Sequence, residues 1–218
     1  MFVGHYAAAF AAKAIEPKAP MWTLAAAAQL VDIGWASFIM TGVERARIDP
    51  SLPGSNLDLY HMPWTHSAPM TLAWAVGAAL LAKLLLRLST WASVVVGLVV
   101  ASHWALDWLV HRPDLELWIG GEKVGLGLWN YPVPEQALEM GLLGVTGAMW
   151  VASRKTLGAA AWPAIALIAA LVVLQIVPMI MPGEPEGEVS AAFGARALAV
   201  YLIVVGAAAL TELPRKAS

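Results

Sequence analysis

Seven apolar stretches take up most of this chain, and the connections between them are polar or rich in proline and glycine. They cover residues 2–15, 21–43, 66–86, 91–110, 135–152, 159–181 and 190–213. About 20 apolar residues cross a bilayer as a helix, so the pattern predicts an all-α, polytopic membrane bundle of about seven transmembrane helices, a single domain over residues 1–218. The first stretch is marginal for a crossing at about 1.5 Å per residue and needs tilt or flanking residues. Pro163 and Pro178 interrupt the sixth. Two connections are long, 44–65 and 112–134. Gly120, Gly121, Gly125, Gly127 and the prolines of the second predict an ordered cap rather than a helix. No repeat of fixed period stands out.

The polar positions inside these stretches change the picture. The fourth is apolar or small from Trp91 to Val110 except for His103 and Asp107, and the steps from His103 to Asp107 to His111 are each four residues. On a helix these side chains stack along one face. A carboxylate inside a bilayer costs at least about 3 kcal/mol, so Asp107 must face a partner, water or a metal rather than lipid. Other polar residues are placed to meet it. His5 opens the first stretch, Asp32 sits near the middle of the second, His66 opens the third, and Glu135 and Glu139 open the fifth.

Composition narrows the chemistry. Sixty per cent of the 218 residues are hydrophobic and 13% charged, with a mean hydropathy of +0.69, which fits an integral membrane domain and not a soluble one. The net charge of −2 argues against a nucleic-acid partner. With no cysteine, thiolate metal sites, disulfides and cysteine nucleophiles are excluded, and any metal must be held by His, Asp and Glu. Residues 1–5 put no basic residue ahead of the first apolar run, so no cleaved signal peptide is expected.

Lysine and arginine in alternate connections set orientation. Lys13, Lys18, Lys83, Arg87, Arg154, Lys155, Arg215 and Lys216 fall on one side of seven spans, and Arg45, Arg47, Arg112 and Lys123 on the other. Eight against four places the first set in the cytoplasm, the amino terminus outside and the carboxyl terminus inside. The polar groups then share the outer half of the membrane. Polar residues near span ends often only anchor a helix, and for His61, His111 and Glu135 that is the plainer reading. For His5, Asp32, His66, His103 and Asp107 together a metal site is favoured, because neutral imidazoles and carboxylates are the ligands Zn²⁺ or Mn²⁺ takes.

Gly4-His5-Tyr6, Gln29-Leu30-Val31-Asp32, His61-Met62-Pro63-Trp64-Thr65-His66-Ser67 and Ser102-His103-Trp104-Ala105-Leu106-Asp107 resemble, in order and spacing, the successive signatures of the YdjM-like bacterial inner-membrane proteins called membrane-bound metal-dependent hydrolases. The similarity covers about two-thirds of the chain. It implies a multi-pass protein of the bacterial inner (plasma) membrane and a reaction class distantly similar to zinc-dependent phospholipase C and the P1-type nucleases. Asp32-Ile33-Gly34-Trp35 stands where that family has Asp-x-Asp-His, and Met62-Pro63 where it has Arg-Gly. These departures favour one or two ions over a larger cluster.

The expected chemistry is hydrolysis, by a site open to water, of a phosphoester on a lipid-like substrate, with membrane lipids as surroundings. Glu139 is a further ligand or the general base. Arg112 and Arg196 are the cations placed to bind an anionic oxygen, with snorkelling the equal alternative for Arg196. His61, if it enters the site, protonates a leaving group. The alternative is an ion- or proton-coupled transporter using the same intramembrane residues. Against it, the cytoplasmic half between Leu80 and Ser93 offers no carboxylate or His, and no inverted repeat is visible.

Overall fold

The computed structural model describes residues 1–180 and 183–212. Met181 and Leu213, which close the last two predicted stretches, and Arg215 and Lys216 of the charge count lie outside the described residues. Every apolar stretch is helical: α1 His5–Ile15, α2 Met21–Ala28, α3 Leu30–Thr41, α4 Ala68–Leu84, α5 Thr90–Val110, α6 Pro132–Thr156, α7 Trp162–Ile180 and α8 Ala191–Leu210. Local chemistry sets several ends. Ser89 and Ser190 cap α5 and α8 by accepting the backbone N–H of Ala92 and Phe193. Pro69 sits in the first turn of α4, where a missing N–H costs nothing. Gly42 ends α3 with a left-handed φ of 73°.

The expected seven spans are not obtained. Among the described residues three helices, α5, α7 and α8, are long and apolar enough to cross a membrane, and a fourth span results if α2 and α3 count as one. The physical reasons differ by helix. α1 has 11 residues, about 16 Å, and α4 has 17. α6 is long enough but carries Glu135 and Glu139 at one end and Arg154 and Lys155 at the other. The second stretch breaks at Gln29, and its halves differ in direction by 54°.

The short α1 is the axis of the bundle. Its small side chains let α2, α5 and α6 close around it, and His5, Tyr6, Ala7, Ala9 and Phe10 are all buried. Phe10 stacks on Trp150 of α6 with ring centroids 5.0 Å apart. The two ends of α1 differ in charge. At the far end Lys13 donates to the carbonyls of Pro17 and Ala19 and pairs with Glu212; at the near end His5 enters the polar cluster described below. Outward faces of α4, α7 and α8 are apolar, with Leu72, Leu80, Val173, Ile176, Leu202 and Ile203 each more than 45% exposed, as contact with lipid would require.

The second long connection is ordered and, ahead of α6, not α-helical, as its glycines and prolines predict, and the first joins it in a cap. Strand β1 (Arg45–Ile48) pairs antiparallel with β2 (Leu57–His61) and with β5 (Gly187–Glu188), giving the order β2-β1-β5. Arg47 lies opposite Asp58 and bonds its carboxylate at 2.7 Å. Strands β3 (Leu115–Glu116) and β4 (Lys123–Val124) form a separate hairpin, followed by a 3₁₀ turn at Leu128–Asn130. The cap is fastened to the end of α5. Leu126 N–H donates to Trp108 O and Gly127 N–H to His111 O. A Cβ at Gly125 would come within 2.2 Å of Arg112 O, so only glycine lets the two backbones approach.

Candidate metal centre

Four imidazoles converge on two carboxylates at the cap end of α1. The break at Gln29 turns the chain so that Asp32 starts α3 facing α5. The turn ahead of α4 carries His66, and the last turns of α5 carry His103 and Asp107 with His111 as its cap. Asp107 is the hub. Its Oδ1 lies 3.1 Å from His5 Nε2 and 3.3 Å from His111 Nε2, and its Oδ2 lies 3.1 Å from His103 Nε2 and 3.7 Å from His66 Nε2. Asp32 Oδ1 closes the other side, 3.4 Å from His66 Nε2 and 3.6 Å from His103 Nε2. The rings of His5 and His103 stack 3.6 Å apart, 6° from parallel. The Asp32 side chain, 13% exposed, is the open member, since the four imidazoles and Asp107 are all within 4%.

Two imidazoles have their outer nitrogen committed. His103 Nδ1 is 2.9 Å from Ala28 O, and His111 Nδ1 is 2.9 Å from Asp114 Oδ1. A carbonyl and a carboxylate accept, so both Nδ1 atoms carry a proton, and in its neutral form each ring would present an Nε2 lone pair toward Asp107. Ala28 O is free to accept because α2 ends there; in an unbroken helix it would take the N–H of Asp32. Gln29, fully buried at the break, donates through Nε2 to Phe2 O at 3.1 Å and ties the break to α1.

The resulting arrangement is short of donors. His5 Nε2, His103 Nε2 and Asp107 Oδ2 are buried with no hydrogen-bond partner, while the Met1 amino nitrogen donates to Asp107 Oδ1 at 2.8 Å. Buried polar atoms left unpaired cost about 1–3 kcal/mol each. The ligand atoms of His5, His103 and Asp107 all lie within 4.8 Å of one another, as do those of Asp32, His66 and His103. Each trio can hold a cation; imidazole nitrogens and carboxylate oxygens, backed by a carbonyl and a second carboxylate, are the donors and supporting groups of a divalent metal site.

All five expected ligands are therefore brought together, and two neighbours were not expected there. His111, read from sequence as an interface anchor, is buried against Trp129 with its ring 4.0 Å away and its Nε2 in the cluster. The four-residue spacing from Asp107 was the signal for it. Glu44, in the cap, is also buried beside the site. Its carboxylate accepts the N–H groups of Trp64 and Thr65 and the hydroxyl of Thr65, whose oxygen is 2.8 Å from His66 Nδ1. Burial raises the Glu44 carboxyl above the usual range, and these donors oppose the rise. Nothing in the local sequence marks Glu44.

The other expected site residues are placed elsewhere. Glu139 spends its carboxylate on the backbone N–H groups of Phe2 and Gly4, at 2.8–3.2 Å, and so anchors the start of α1. Strand β2 carries His61 to the exposed surface opposite Arg45. The Arg112 guanidinium is bound by Asn130 Oδ1 and the carbonyls of Pro53 and Ser55, bracing one cap loop against another. Arg196 is 57% exposed and paired with Glu184 at 2.6 Å. Comparison with known proteins adds no relative: no family model, curated protein or solved structure matches the chain.

Proposed function

We propose that this chain is an integral-membrane, metal-dependent hydrolase that cleaves a phosphoester of a lipid-like substrate in the outer half of a bacterial inner membrane. One observation carries the reading. His103 Nε2 and Asp107 Oδ2 face each other at 3.1 Å, both buried and neither with a hydrogen-bond partner, and a divalent cation would satisfy the pair together with the neighbouring His5, Asp32 and His66. We add His111 to that ligand set. Nitrogen and oxygen donors in this number suit zinc first and manganese second, as one or two ions. Such an ion supplies Lewis acidity and a water acidified toward neutrality. The resemblance to the YdjM-like hydrolases supports the reaction class.

The residues of the chain do the rest. His5, His66, His103, His111 and Asp107 hold the centre rigidly and away from water. Asp32, the most exposed ligand, marks the side from which substrate and water enter. In this reading Glu139 positions α1 instead of acting as base, and Arg112 braces the cap instead of binding substrate. The apolar faces of α4 and α7 suit a substrate that arrives laterally from the bilayer.

Two experiments test the proposal. Metal-replete protein screened against phospholipids, isoprenoid phosphates, amides and carboxylic esters should turn over a lipid phosphoester. Turnover confined to amides or esters would discard the phosphoester, and no turnover together with metal-dependent ion flux in liposomes would make the cluster an ion path. For orientation, cysteines replacing Ser51 and Glu186 in the cap should react with an impermeant reagent added outside cells, and one replacing Thr156 at the end of α6 should not. The reverse labelling would move the centre to the cytoplasmic leaflet.

A further inference from the structure

We infer that Glu44 and Thr65 form a positioning relay that fixes the tautomer of His66 and so makes it a metal-binding imidazole; this rests on the metal centre proposed above. Glu44 lies at the entrance to the cap, three residues beyond the end of α3 and 21 residues from Thr65. A buried carboxylate that only closes a turn would be served by the backbone donors alone. This one also accepts the Thr65 hydroxyl at 2.6 Å through its second oxygen, Oε2, while Oε1 takes the N–H groups of Trp64 and Thr65 at 2.8 and 2.9 Å.

The direction of the relay follows from counting hydrogens. A threonine hydroxyl has one, and it goes to Glu44. The contact of Thr65 Oγ1 with His66 Nδ1 at 2.8 Å must then be donated by the imidazole, so Nδ1 bears the proton. His66 Nε2 is left as a lone pair 3.4 Å from Asp32 Oδ1 and 3.7 Å from Asp107 Oδ2. The same outcome is reached for His103 through Ala28 O and for His111 through Asp114, by three different acceptors. His66 is the one whose acceptor is itself ambivalent, because a hydroxyl can donate as well as accept. Glu44 removes that ambivalence. Thr65 is otherwise fixed: its carbonyl accepts from the Thr71 hydroxyl at 3.0 Å, and Trp104 Nε1 holds the next carbonyl, His66 O, at 3.0 Å.

Glu44→Gln reverses the relay at constant size. With the amide oxygen kept on the two backbone N–H groups, its NH₂ donates to Thr65 Oγ1, the hydroxyl turns to donate to His66 Nδ1, and the proton moves to Nε2, where it blocks coordination. Thr65→Val removes the hydroxyl and leaves Nδ1 without its acceptor; Thr65→Ser keeps it. Zinc affinity, measured by competition with a coloured chelator, should fall about 10–100-fold in Glu44→Gln and Thr65→Val and return to within about threefold of wild type in Thr65→Ser. Both losses should vanish when the same changes are made on a His66→Ala background, which a merely structural role would not produce. Wild-type affinity in Glu44→Gln and Thr65→Val, or equal losses with and without His66, would overturn the relay alone. A wild-type protein that binds no zinc would overturn the metal centre and the relay with it. If Thr65→Val does not purify as a monodisperse species, Glu44→Gln against wild type and His66→Ala carries the same comparison.

Discussion

Asp107→Asn should empty the proposed metal centre while leaving the protein folded. Asp107 is the residue on which four Nε2 atoms converge, within 3.1–3.7 Å, and asparagine keeps its shape while removing the charge a divalent ion needs. The amide can also donate to one imidazole, which relieves part of the clash between acceptors and favours a folded, metal-free state. Loss of a group that only supports a ligand already costs about 10–100-fold in affinity, so loss of the hub should cost more than about 100-fold. After dialysis, elemental analysis should find the variant stripped and size exclusion should find it monodisperse. Full metal retention would remove Asp107 from the ligand set.

The second large effect concerns the ion itself. A ligand that binds only the folded state stabilises it by about 4 kcal/mol when present at a thousandfold above its Kd, which for a chain of this size amounts to a Tm shift of about 8–16 °C. Chelator treatment of detergent-purified protein should therefore lower the Tm and abolish the proposed hydrolysis, and Zn²⁺ or Mn²⁺ should restore both. The size of the effect reflects what is left behind. Without a cation, His5 Nε2, His103 Nε2 and Asp107 Oδ2 stay buried and unpaired, and the Met1 amino nitrogen answers only the other oxygen of Asp107. A Tm indifferent to chelator and to added zinc would show that this amino group and protons suffice, and would sink the metal reading.

Periodicity reads well where lipid or a dense core imposes it. The apolar stretches became helices, and the stripe from His103 to His111 became one wall of the centre, because an i, i+4 relation survives any tertiary arrangement. Span counting failed for a reason of length and burial. A central helix such as α1 is apolar because protein surrounds it, and its 11 residues are indistinguishable by composition from a short membrane crossing. The break at Gln29 was equally hidden, since a glutamine amid alanines and leucines carries no turn signal. Partners joined by the cap were out of reach for a different reason. Glu44 meets Thr65, and Asp114 meets His111, through loops whose paths depend on strand pairing, and one carboxylate in a polar connection looks like any other. Glu139 illustrates the converse: its depth in the sequence suggests chemistry, yet its oxygens are spent on the backbone just ahead of α1.

The break between α2 and α3 has a wider consequence. Interrupting a helix in the membrane releases a backbone carbonyl where no water can answer it, a penalty that a straight span avoids. Here the released carbonyl is that of Ala28, and His103 claims it. Bend and imidazole thus compensate each other: without the bend His103 has no acceptor to hold its ring, and without His103 the bend carries an unanswered oxygen. A substitution at either place should therefore destabilise the other, so the 54° corner and position 103 form one structural unit, tied across 75 residues of sequence by a single hydrogen bond.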